Sequence, residues 1–225
     1  MKIVVLTGAG ISAESGLGTF RDVDGLWTKY DLNDVATPEG FARDPALVHD
    51  FYNARRRNCQ ESGPNAAHHA LARLEKSKAH VLTIVTQNVD DLHERAGSQA
   101  VIHMHGQLMR ALCAACGARW DAPAVMHPAD PCPTCAVPAT RPDVVWFGEI
   151  PYAMDEISAL VAASDLFVAI GTSAEVYPAA GLVEMAQGET LELNLKPSAR
   201  ANSFGARRFG PATEVVPEWV GEMLN

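Results

Sequence analysis

The sequence lacks the features that would direct a protein to a membrane or to nucleic acid. No apolar run approaches the roughly 20 residues of a membrane-spanning helix, and the opening run MKIVVL leads directly into glycines, so we expect no signal peptide. The net charge is -9, which disfavours nonspecific binding to DNA or to anionic lipid. We therefore expect a cytoplasmic protein with no membrane partner and no specific nucleic-acid partner.

Internal repeats and low-complexity segments are also missing, so nothing points to a solenoid or a disordered chain. The 225 residues, 48% of them hydrophobic, suit one large domain or a domain with a small additional module. Of the five cysteines, four form two Cys-x-x-Cys pairs and Cys59 stands alone. In a reducing compartment this pairing suggests a metal site and not disulfides.

Short apolar runs separated by helical patterns predict the fold class. The runs that predict buried strands lie at 2–6, 80–85, 101–104, 165–170 and 189–195. Helical patterns at 89–96, 152–163 and 178–187 lie between several of them. This alternation predicts an α/β fold, a Rossmann-like parallel sheet with helices on both faces.

Two segments interrupt the alternation and predict a second module. The first has helical patterns near 45–60 and 65–77, the latter with Asn65 as N-cap, and the second, 107–142, is rich in Cys, Ala and Pro. We assign 1–26, 78–106 and 143–225 to the Rossmann-like domain, and 27–77 and 107–142 to a small zinc-binding and helical module. Residues 197–210 predict a long loop, and the run PEWVGEML predicts a terminal helix.

A glycine-rich turn, TGAGISAESG, follows the first predicted strand. Gly8, Gly10 and Ala13 fit G-x-G-x-x-[GA], a pattern in which backbone N–H groups and a helix N-terminus receive a pyrophosphate. A tight strand–helix turn without a ligand explains the same residues. The second strand with an acidic residue about 20 positions further on, typical of dehydrogenases, is missing. A nucleotide bound here is therefore not held in the dehydrogenase manner.

The paired cysteines have the spacing of a zinc ribbon. Cys113, Cys116, Cys132 and Cys135 give C-x2-C-x15-C-x2-C, and four thiolates on two tight turns suit one tetrahedral structural Zn2+. Four sulfur ligands leave no position for a reacting water, so we expect the zinc to stabilise the module. A nucleic-acid-binding zinc ribbon is the rival interpretation, but this insertion has few basic residues.

Polar residues follow three of the predicted strands. In VIHMHG, His105 at a strand end could act as a general base, although a structural or metal-binding role suits His103 and His105 as well. Asp90 in TQNVDDLHERAG is either a site residue or a helix cap. GTSAEVYP, residues 171–178, either binds phosphate or forms a turn. Because carboxyl ends of parallel strands share one edge of a sheet, these turns predict one crevice.

Taken together, the motifs resemble the sirtuin family of NAD-dependent protein-lysine deacylases, and most closely its short bacterial members. The resemblance rests on GAGISAES, TFR, TQNVDDLHERAG, HMHG, the Cys-x-x-Cys pairs, VVWFGE, GTSAEVYP and ELNL, which occur in family order from Gly8 to the C-terminus. It implies NAD as cofactor, one structural Zn2+, and acylated lysine side chains of proteins as substrates.

The resemblance also implies a role for each matching residue. His105 is implied as the general base, with Asn88 beside it as a catalytic residue. The residues implied to bind NAD are Gly8, Ala9, Gly10, Ser12, Phe20, Arg21, Gln87, Asn88, Asp90, Gly171, Thr172, Ser173 and Asn194. The acyl-lysine peptide is implied to pair by β-augmentation with Phe147, Gly148, Glu149 and Val176. In the implied chemistry, the acyl oxygen attacks C1′ of the nicotinamide ribose, nicotinamide leaves, and water finally releases lysine and O-acyl-ADP-ribose.

One short stretch, FYNARRRN, suggests which acyl group is preferred. Tyr52 and Arg55 match the tyrosine and arginine of sirtuins that prefer negatively charged acyl groups, and Ala36 matches the small residue that admits a longer chain. A guanidinium beside a phenol suits the carboxylate of succinyl- or malonyl-lysine. The alternative is that all three arginines are solvated surface charges, and we expect this for Arg56 and Arg57.

One position departs from the family pattern. Related members have an acidic residue in N-L-E-P, whereas this sequence has NLKPS with Lys196. We expect looser NAD binding or a different adenosine contact there. We expect a monomer and an activity on acetyl-lysine and on succinyl- or malonyl-lysine; the alternatives are an ADP-ribosyltransferase or NAD hydrolase on the same fold, and a zinc-ribbon binding module without turnover.

Overall fold

The computed structural model describes residues 1–18 and 30–225. The strands are β1 (Lys2–Thr7), β2 (Val81–Thr86), β3 (Val101–His103), β4 (Gly106–Cys113), β5 (Arg119–Asp121), β6 (Thr140–Val144), β7 (Leu166–Ile170), β8 (Glu189–Asn194) and β9 (Ala206–Phe209). The α-helices are α1 (Ala9–Ser12), α2 (Leu32–Val35), α3 (Pro38–Arg43), α4 (Pro45–Glu61), α5 (Ala66–Ser77), α6 (Leu92–Ala96), α7 (Met154–Ala162) and α8 (Ala212–Met223). None of these helices has the length and hydropathy of a membrane span.

The main sheet has six parallel strands in the order β3-β2-β1-β7-β8-β9. All five predicted strands are present, and the predicted Rossmann-like α/β fold is confirmed. The predicted loop at 197–210 is wrong, because it contains the sixth strand, β9, at the sheet edge. Its sequence, ARRF, is short and mostly exposed, so no buried apolar run marks it.

Helices cover both faces of this sheet, as predicted. On one face α5 and α8 pack against the strands through Leu71, Leu74, Val216 and Trp219. On the other face α7 packs together with a 3-10 helix, Ala179–Met185, that occupies the predicted helical segment 178–187. The sheet is therefore buried on both sides, and its strand ends are where polar groups can meet a ligand.

The second module combines α2, α3 and α4 with a three-stranded antiparallel sheet in the order β5-β4-β6. Its apolar core includes Val48, Phe51, Leu108, Val144 and Trp146. Helix α4 begins after Asp44, whose carboxylate accepts from Leu47 N at 2.9 Å. That short sheet was not predicted, because its strands alternate with turns and prolines instead of forming apolar runs.

Helix α5 has the predicted N-cap. Asn65 Oδ1 accepts from Ala67 N at 3.0 Å, and Asn65 N donates to His68 Nδ1 at 3.3 Å. The helix packs on the main sheet, although it lies within 27–77, which the sequence assigns to the small module. The domain limits stay a prediction, and we propose that the small module's first segment ends near Asn65.

Candidate active site

Two glycine turns meet where the strand order of the main sheet reverses. Gly8 follows β1 and Gly171 follows β7, and these neighbouring strands lead to opposite halves of the sheet. A Cβ on Gly8 would lie 2.8 Å from Gly171 O, and one on Gly10 would lie 2.7 Å from Gly171 Cα. Gly171 itself has φ +61, a conformation that favours glycine. The glycine pattern therefore has a packing reason, the close approach of two turns at the point where open α/β sheets bind ligands.

The backbone donors of this turn are used inside the protein. Gly8 N donates to Ile170 O at 3.0 Å, and Gly10 N donates to Gly171 O at 2.8 Å. The glycine motif by itself suggests that these two N–H groups point at a phosphate. In the structure they do not, because both are bonded to backbone carbonyls. The pyrophosphate role of Gly8, Ala9 and Gly10 stays a prediction, now based on their small size at the crevice.

A buried hydrogen-bond network follows α1. The hydroxyl of Ser12 donates to Asp90 Oδ2 at 3.1 Å and accepts from Asn88 Nδ2 at 3.1 Å. The same oxygen lies 3.4 Å from His68 Nε2. Since Asn65 N already donates to His68 Nδ1, the ring proton is on Nε2, which donates to Ser12. The hydrogen bonds among Ser12, Asn88, Asp90 and His68 therefore each have a defined donor and a defined acceptor.

Asp90 accepts a hydrogen bond at the start of α6 and also belongs to the buried network, while its role as a site residue stays a prediction. Its Oδ1 accepts from Leu92 N at 3.2 Å at the start of α6, and its Oδ2 accepts from Ser12. The side chain is buried, and burial raises the pKa of this carboxyl above its usual range. A carboxyl group held at the crevice suits recognition of an amide donor, the role implied for Asp90.

The two histidines of VIHMHG hold the same turn. His105 Nδ1 lies 3.0 Å from Gln87 O and His103 Nδ1 lies 3.3 Å from Asn88 O. Because a carbonyl only accepts, both Nδ1 atoms carry a proton. His103 Nε2 also binds Glu94 Oε1 at 2.6 Å, which favours a structural role for His103.

His105 has the protonation state that a general base needs. With Nδ1 donating to Gln87 O, Nε2 is the nitrogen that can accept a proton. Burial lowers the pKa of His105 below its ordinary value, and the bond to Gln87 O raises it by a smaller amount. The imidazole is therefore neutral near pH 7 and able to take a proton.

The predicted adenosine side is formed by the ends of β7 and β8. Thr172 Oγ1 accepts from Gln87 Nε2 at 3.0 Å, which joins this side to the turn after β2. Asn194 Nδ2 donates to Thr172 O at 2.7 Å, so this amide positions the turn. Ser173 O accepts from Ala199 N at 3.0 Å, and Lys196 is exposed on the same loop. The structure brings Gln87, Thr172 and Asn194 together as predicted, while their contacts with NAD stay predictions.

Three of the four residues predicted to bind the peptide, Phe147, Gly148 and Glu149, border the small module. Phe147 N donates to Ala36 O at 2.9 Å, and the Phe147 side chain is exposed. Gly148 has φ +90 in the tight turn that follows. The Glu149 carboxylate binds Arg141 at 2.6 Å and accepts from Trp146 N at 2.8 Å, so it forms the turn and is not free for a peptide. Val176 is exposed on the loop after β7.

Tyr52 and Arg55 lie together on α4, as their spacing predicts. The Arg55 guanidinium carbon is 5.4 Å from the centre of the Tyr52 ring and 5.6 Å from that of Phe51. The Tyr52 hydroxyl accepts from Trp146 Nε1 at 3.0 Å. Burial raises the pKa of Tyr52 and lowers that of Arg55. Ala36 is buried in the same apolar cluster as Tyr52.

The neighbouring arginines differ from each other. The expectation that Arg57 is a solvated charge agrees with its exposure, but the same expectation for Arg56 is wrong. Arg56 is only 1% exposed, with Nε donating to Leu108 O at 2.9 Å and one terminal nitrogen donating to Asn53 Oδ1 at 2.8 Å. Its carbonyl partner is far away in sequence, so spacing along α4 could not reveal this burial.

The four paired cysteines form one cluster that fits a zinc ion. All four sulfur atoms lie within 4.8 Å of one another, and the Cys113–Cys135 and Cys116–Cys132 sulfur distances are both 3.7 Å. A tetrahedral ion with Zn–S bonds of about 2.3 Å requires sulfur atoms about 3.8 Å apart. The predicted structural zinc site therefore has the required geometry, while Cys59 is a buried thiol in the module core.

Some functional residues lie outside these predictions or outside the described residues. Phe20 and Arg21, implied to cover the nicotinamide ribose, lie at 19–29, outside the residues that the structure describes. His68 and Trp146 bind Ser12 and Tyr52 but were not predicted as site residues. The position of His68 three residues after the N-cap Asn65 was the available signal for its capping contact.

A parallel nucleotide-binding sheet, a neutral histidine in its crevice and a four-cysteine module define the class: a nucleotide-dependent enzyme with a structural metal site. Comparison with known proteins agrees. The model of the Sir2 family matches residues 8–178. An NAD-dependent protein deacylase of Caulobacter vibrioides is 59% identical over all of this chain and 97% of its own, and one of Escherichia coli K12 is 54% identical over all of this chain and 82% of its own.

Solved structures show the same fold. A Sir2 homologue in complex with NAD has a TM-score of 0.91 at 39% identity, covering 99% of this chain and 90% of its own. A Sir2 mutant with deacetylated p53 peptide and 3′-O-acetyl ADP-ribose has a TM-score of 0.83 at 28% identity, covering 98% and 92%. The chain therefore belongs to the Sir2 family. The predicted family is confirmed, and so is its pairing of NAD with a structural four-cysteine zinc site.

Proposed function

We propose that this protein removes acyl groups ending in a carboxylate, succinyl and malonyl, from protein lysines, in addition to acetyl groups. NAD-dependent protein deacylation is the activity by which its full-length relatives are named, and it is the activity of this enzyme. The acyl preference is the finer proposal. One observation carries it: a tyrosine and an arginine that lie together on α4 and can both donate to an incoming group.

The hydrogen-bond directions at Tyr52 support this preference. Trp146 Nε1 is a donor only and donates to the Tyr52 oxygen at 3.0 Å. The Arg55 guanidinium, also a donor only, lies with its central carbon 5.4 Å from the centre of the same ring. Because the Tyr52 oxygen accepts from Trp146, the Tyr52 proton is the group that this hydroxyl can offer to an acceptor. A carboxylate, which only accepts, is the group that this proton suits.

The charge of Arg55 supports the same ligand. The guanidinium lies beside two aromatic rings, and burial lowers its pKa, which means that its positive charge is partly desolvated. A carboxylate beside it would accept charge-assisted hydrogen bonds from its several N–H groups, and the methyl end of an acetyl group would not. Arg–carboxylate hydrogen bonds are among the stronger ones in proteins, so the energetic difference between the two acyl groups should be large.

The residues of the crevice have defined tasks in this reaction. When bound, NAD would supply an electrophilic ribose carbon, C1′, with nicotinamide as its leaving group. His105, neutral and with Nε2 available, takes the proton of a ribose hydroxyl. Asp90 and Asn88, fixed by Ser12, position the nicotinamide end, and Thr172 positions the adenosine end. The side chains of Phe147 and Val176 are exposed, and the peptide backbone would pair with the chain alongside them.

The test compares two acyl groups on one peptide. We expect kcat/KM for succinyl-lysine to fall about 10- to 100-fold in Arg55→Met, because one or more charge-assisted hydrogen bonds of about 1.5–3 kcal/mol are lost. Acetyl-lysine turnover should change much less. Arg57→Met, an exposed arginine of the same helix, is the matched control and should alter neither value. If Arg55→Met has the same kcat/KM as wild type for both succinyl-lysine and acetyl-lysine, the proposed acyl preference is rejected and the protein is a deacetylase.

The same assay separates deacylation from other reactions of NAD on this fold. A product mass spectrum should show O-acyl-ADP-ribose and free lysine, in amounts that depend on the acylated peptide. An ADP-ribosylated protein or free ADP-ribose without peptide would instead indicate a transferase or an NAD hydrolase. Acylated protein lysines as partners belong to the activity, whereas the monomeric state and cytoplasmic location remain part of this proposal.

A further inference from the structure

Helix α4 has a buried polar stripe beside the face that presents Tyr52. The stripe consists of His49, Asn53 and Arg56, spaced i, i+4 and i+7, and these residues are 1%, 7% and 1% exposed. Buried polar side chains in such a row are costly unless each is hydrogen-bonded. Their partners therefore show what the stripe is for.

Every partner outside α4 belongs to the segment that carries the zinc cysteines. His49 Nε2 lies 3.2 Å from Thr140 O. Asn53 makes two hydrogen bonds to the backbone of Met126, donating to its carbonyl at 2.9 Å and accepting from its N–H at 3.0 Å. Met126 lies between the two Cys-x-x-Cys turns. The loop is thus held by the cysteine cluster at both ends and by α4 in the middle.

Arg56 makes the attachment of this loop to α4 costly to break. It donates to Leu108 O at 2.9 Å and approaches the Met126 sulfur at 3.2 Å, and burial lowers its pKa. A guanidinium that loses such acceptors cannot stay buried, because an uncompensated charge in the interior is strongly destabilising. If the zinc-bearing segment loosens, Arg56 loses its acceptors and α4 loses the contacts that fix this face of the helix. Tyr52 and Arg55 are on the same helix, so their positions then have fewer constraints.

We propose that the stripe couples the zinc-bearing segment to acyl selection: zinc holds the segment, the segment holds Asn53 and Arg56, and these positioning residues hold Tyr52 and Arg55 where they meet the acyl carboxylate. The selectivity part rests on the proposed function. The mechanical part, the coupling of zinc retention to the position of α4, does not depend on it.

Arg56→Met tests the coupling, with Arg57→Met as control, because both remove one arginine from adjacent positions of α4 and only Arg56 is buried. Three quantities are measured: the rate of zinc release to a chelator, amide hydrogen exchange of residues 45–61 with zinc present and removed, and the ratio of succinyl to acetyl kcat/KM. In Arg56→Met we expect about tenfold faster zinc release, since a charged hydrogen-bonding partner is lost.

The same variant should show faster exchange in α4 and a selectivity ratio about tenfold lower. Wild type stripped of zinc should show the same increase in α4 exchange. Arg57→Met should match wild type in all three. Arg56→Lys, which keeps the charge and one donor, should restore part of each loss and guards against a general folding defect in Arg56→Met.

The outcomes separate this proposal from the preceding one. If Arg55→Met leaves the wild-type ratio unchanged, the acyl preference fails, and zinc release with α4 exchange still decides the coupling. Zinc release and α4 exchange that are unchanged in Arg56→Met overturn the coupling. A ratio that falls while zinc release stays at the wild-type rate overturns it too, because Arg56 then acts without the zinc-bearing segment.

Discussion

His68 lies inside the protein as a neutral imidazole, and its removal gives a quantitative test of the network behind the active site. The side chain is fully buried, its Nδ1 accepts from Asn65 N, and its Nε2 donates to Ser12. A second buried imidazole, His93, lies with its ring centre 5.0 Å away. Burial lowers the pKa of His68 to about 4, and the nearby His69 adds to the decrease.

The pKa predicts how much stability acid removes through this residue. In the unfolded chain a histidine has a pKa of about 6.5. The unfolded state therefore takes up a proton as pH falls below about 6.5, whereas the folded state resists until about pH 4. Stability is present above the unfolded pKa and is lost as pH falls towards the folded one. Between pH 7 and pH 5 the loss from His68 alone is about 2 kcal/mol.

The substitution His68→Gln should remove that pH dependence. Glutamine offers one donor and one acceptor near the same places and does not titrate. Urea unfolding at pH 7 and pH 5, with zinc in the buffer, gives the loss of unfolding free energy for each protein. We expect the loss in His68→Gln to be about 2 kcal/mol smaller than in wild type. His69→Gln, at the exposed neighbouring position, controls for the substitution itself; because His69 contributes less than burial to the lowered pKa of His68, this variant should reduce the loss only slightly.

Zinc release in acid affects all three proteins and cancels in the difference between them. A loss in His68→Gln equal to that in wild type would show that His68 is not held neutral by burial. The donor direction assigned to Ser12 would then be wrong as well, since a protonated Nδ1 could not accept from Asn65.

Two further predictions concern the crevice. The kcat/KM for acetyl-lysine peptide, measured against pH, should decline only below pH 6.5, because burial holds the pKa of His105 under that value. The variant His105→Tyr should have no measurable turnover at any pH. A decline centred above pH 7 would contradict the assignment of His105 as the base. Gly10→Ala should lower the free energy of unfolding by about 1–3 kcal/mol, because its Cβ would lie 2.7 Å from Gly171 Cα. Gly221→Ala, where nothing lies within 4 Å, should be neutral or stabilising in the same urea titration.

Much of the fold follows from local patterns. The apolar run before Gly8 is β1, the two Cys-x-x-Cys pairs form one cluster, and Asn65 caps α5. Each of these depends on residues a few positions apart, so the sequence shows them directly. The strand β9 was missed because an exposed edge strand needs no apolar run, and only its parallel pairing with β8 makes it a strand.

Expectations for residues of the candidate site agreed with the structure at some positions and not at others, and Arg55, Arg56 and Arg57 show why. Their order on a helix gives each a different direction, but it does not say what lies in that direction. Arg57 meets solvent, Arg55 lies against Tyr52, and Arg56 meets the carbonyl of Leu108. The last contact joins residues 52 positions apart in the chain, so no spacing in the helix predicts it.

The sequence by itself determined five strands of the main sheet and the longer helices, the family, the zinc ligands and the chemical types available at the strand ends. Only the tertiary structure decided which of those groups are already engaged: the N–H of Gly10 with Gly171, the Glu149 carboxylate with Arg141, and the Ser12 hydroxyl with Asp90. The physical reason is the separation along the chain of the residues that set each property. Backbone conformation and side-chain periodicity are set within a few residues, whereas burial and hydrogen-bond partners are set by segments that meet only when the chain folds.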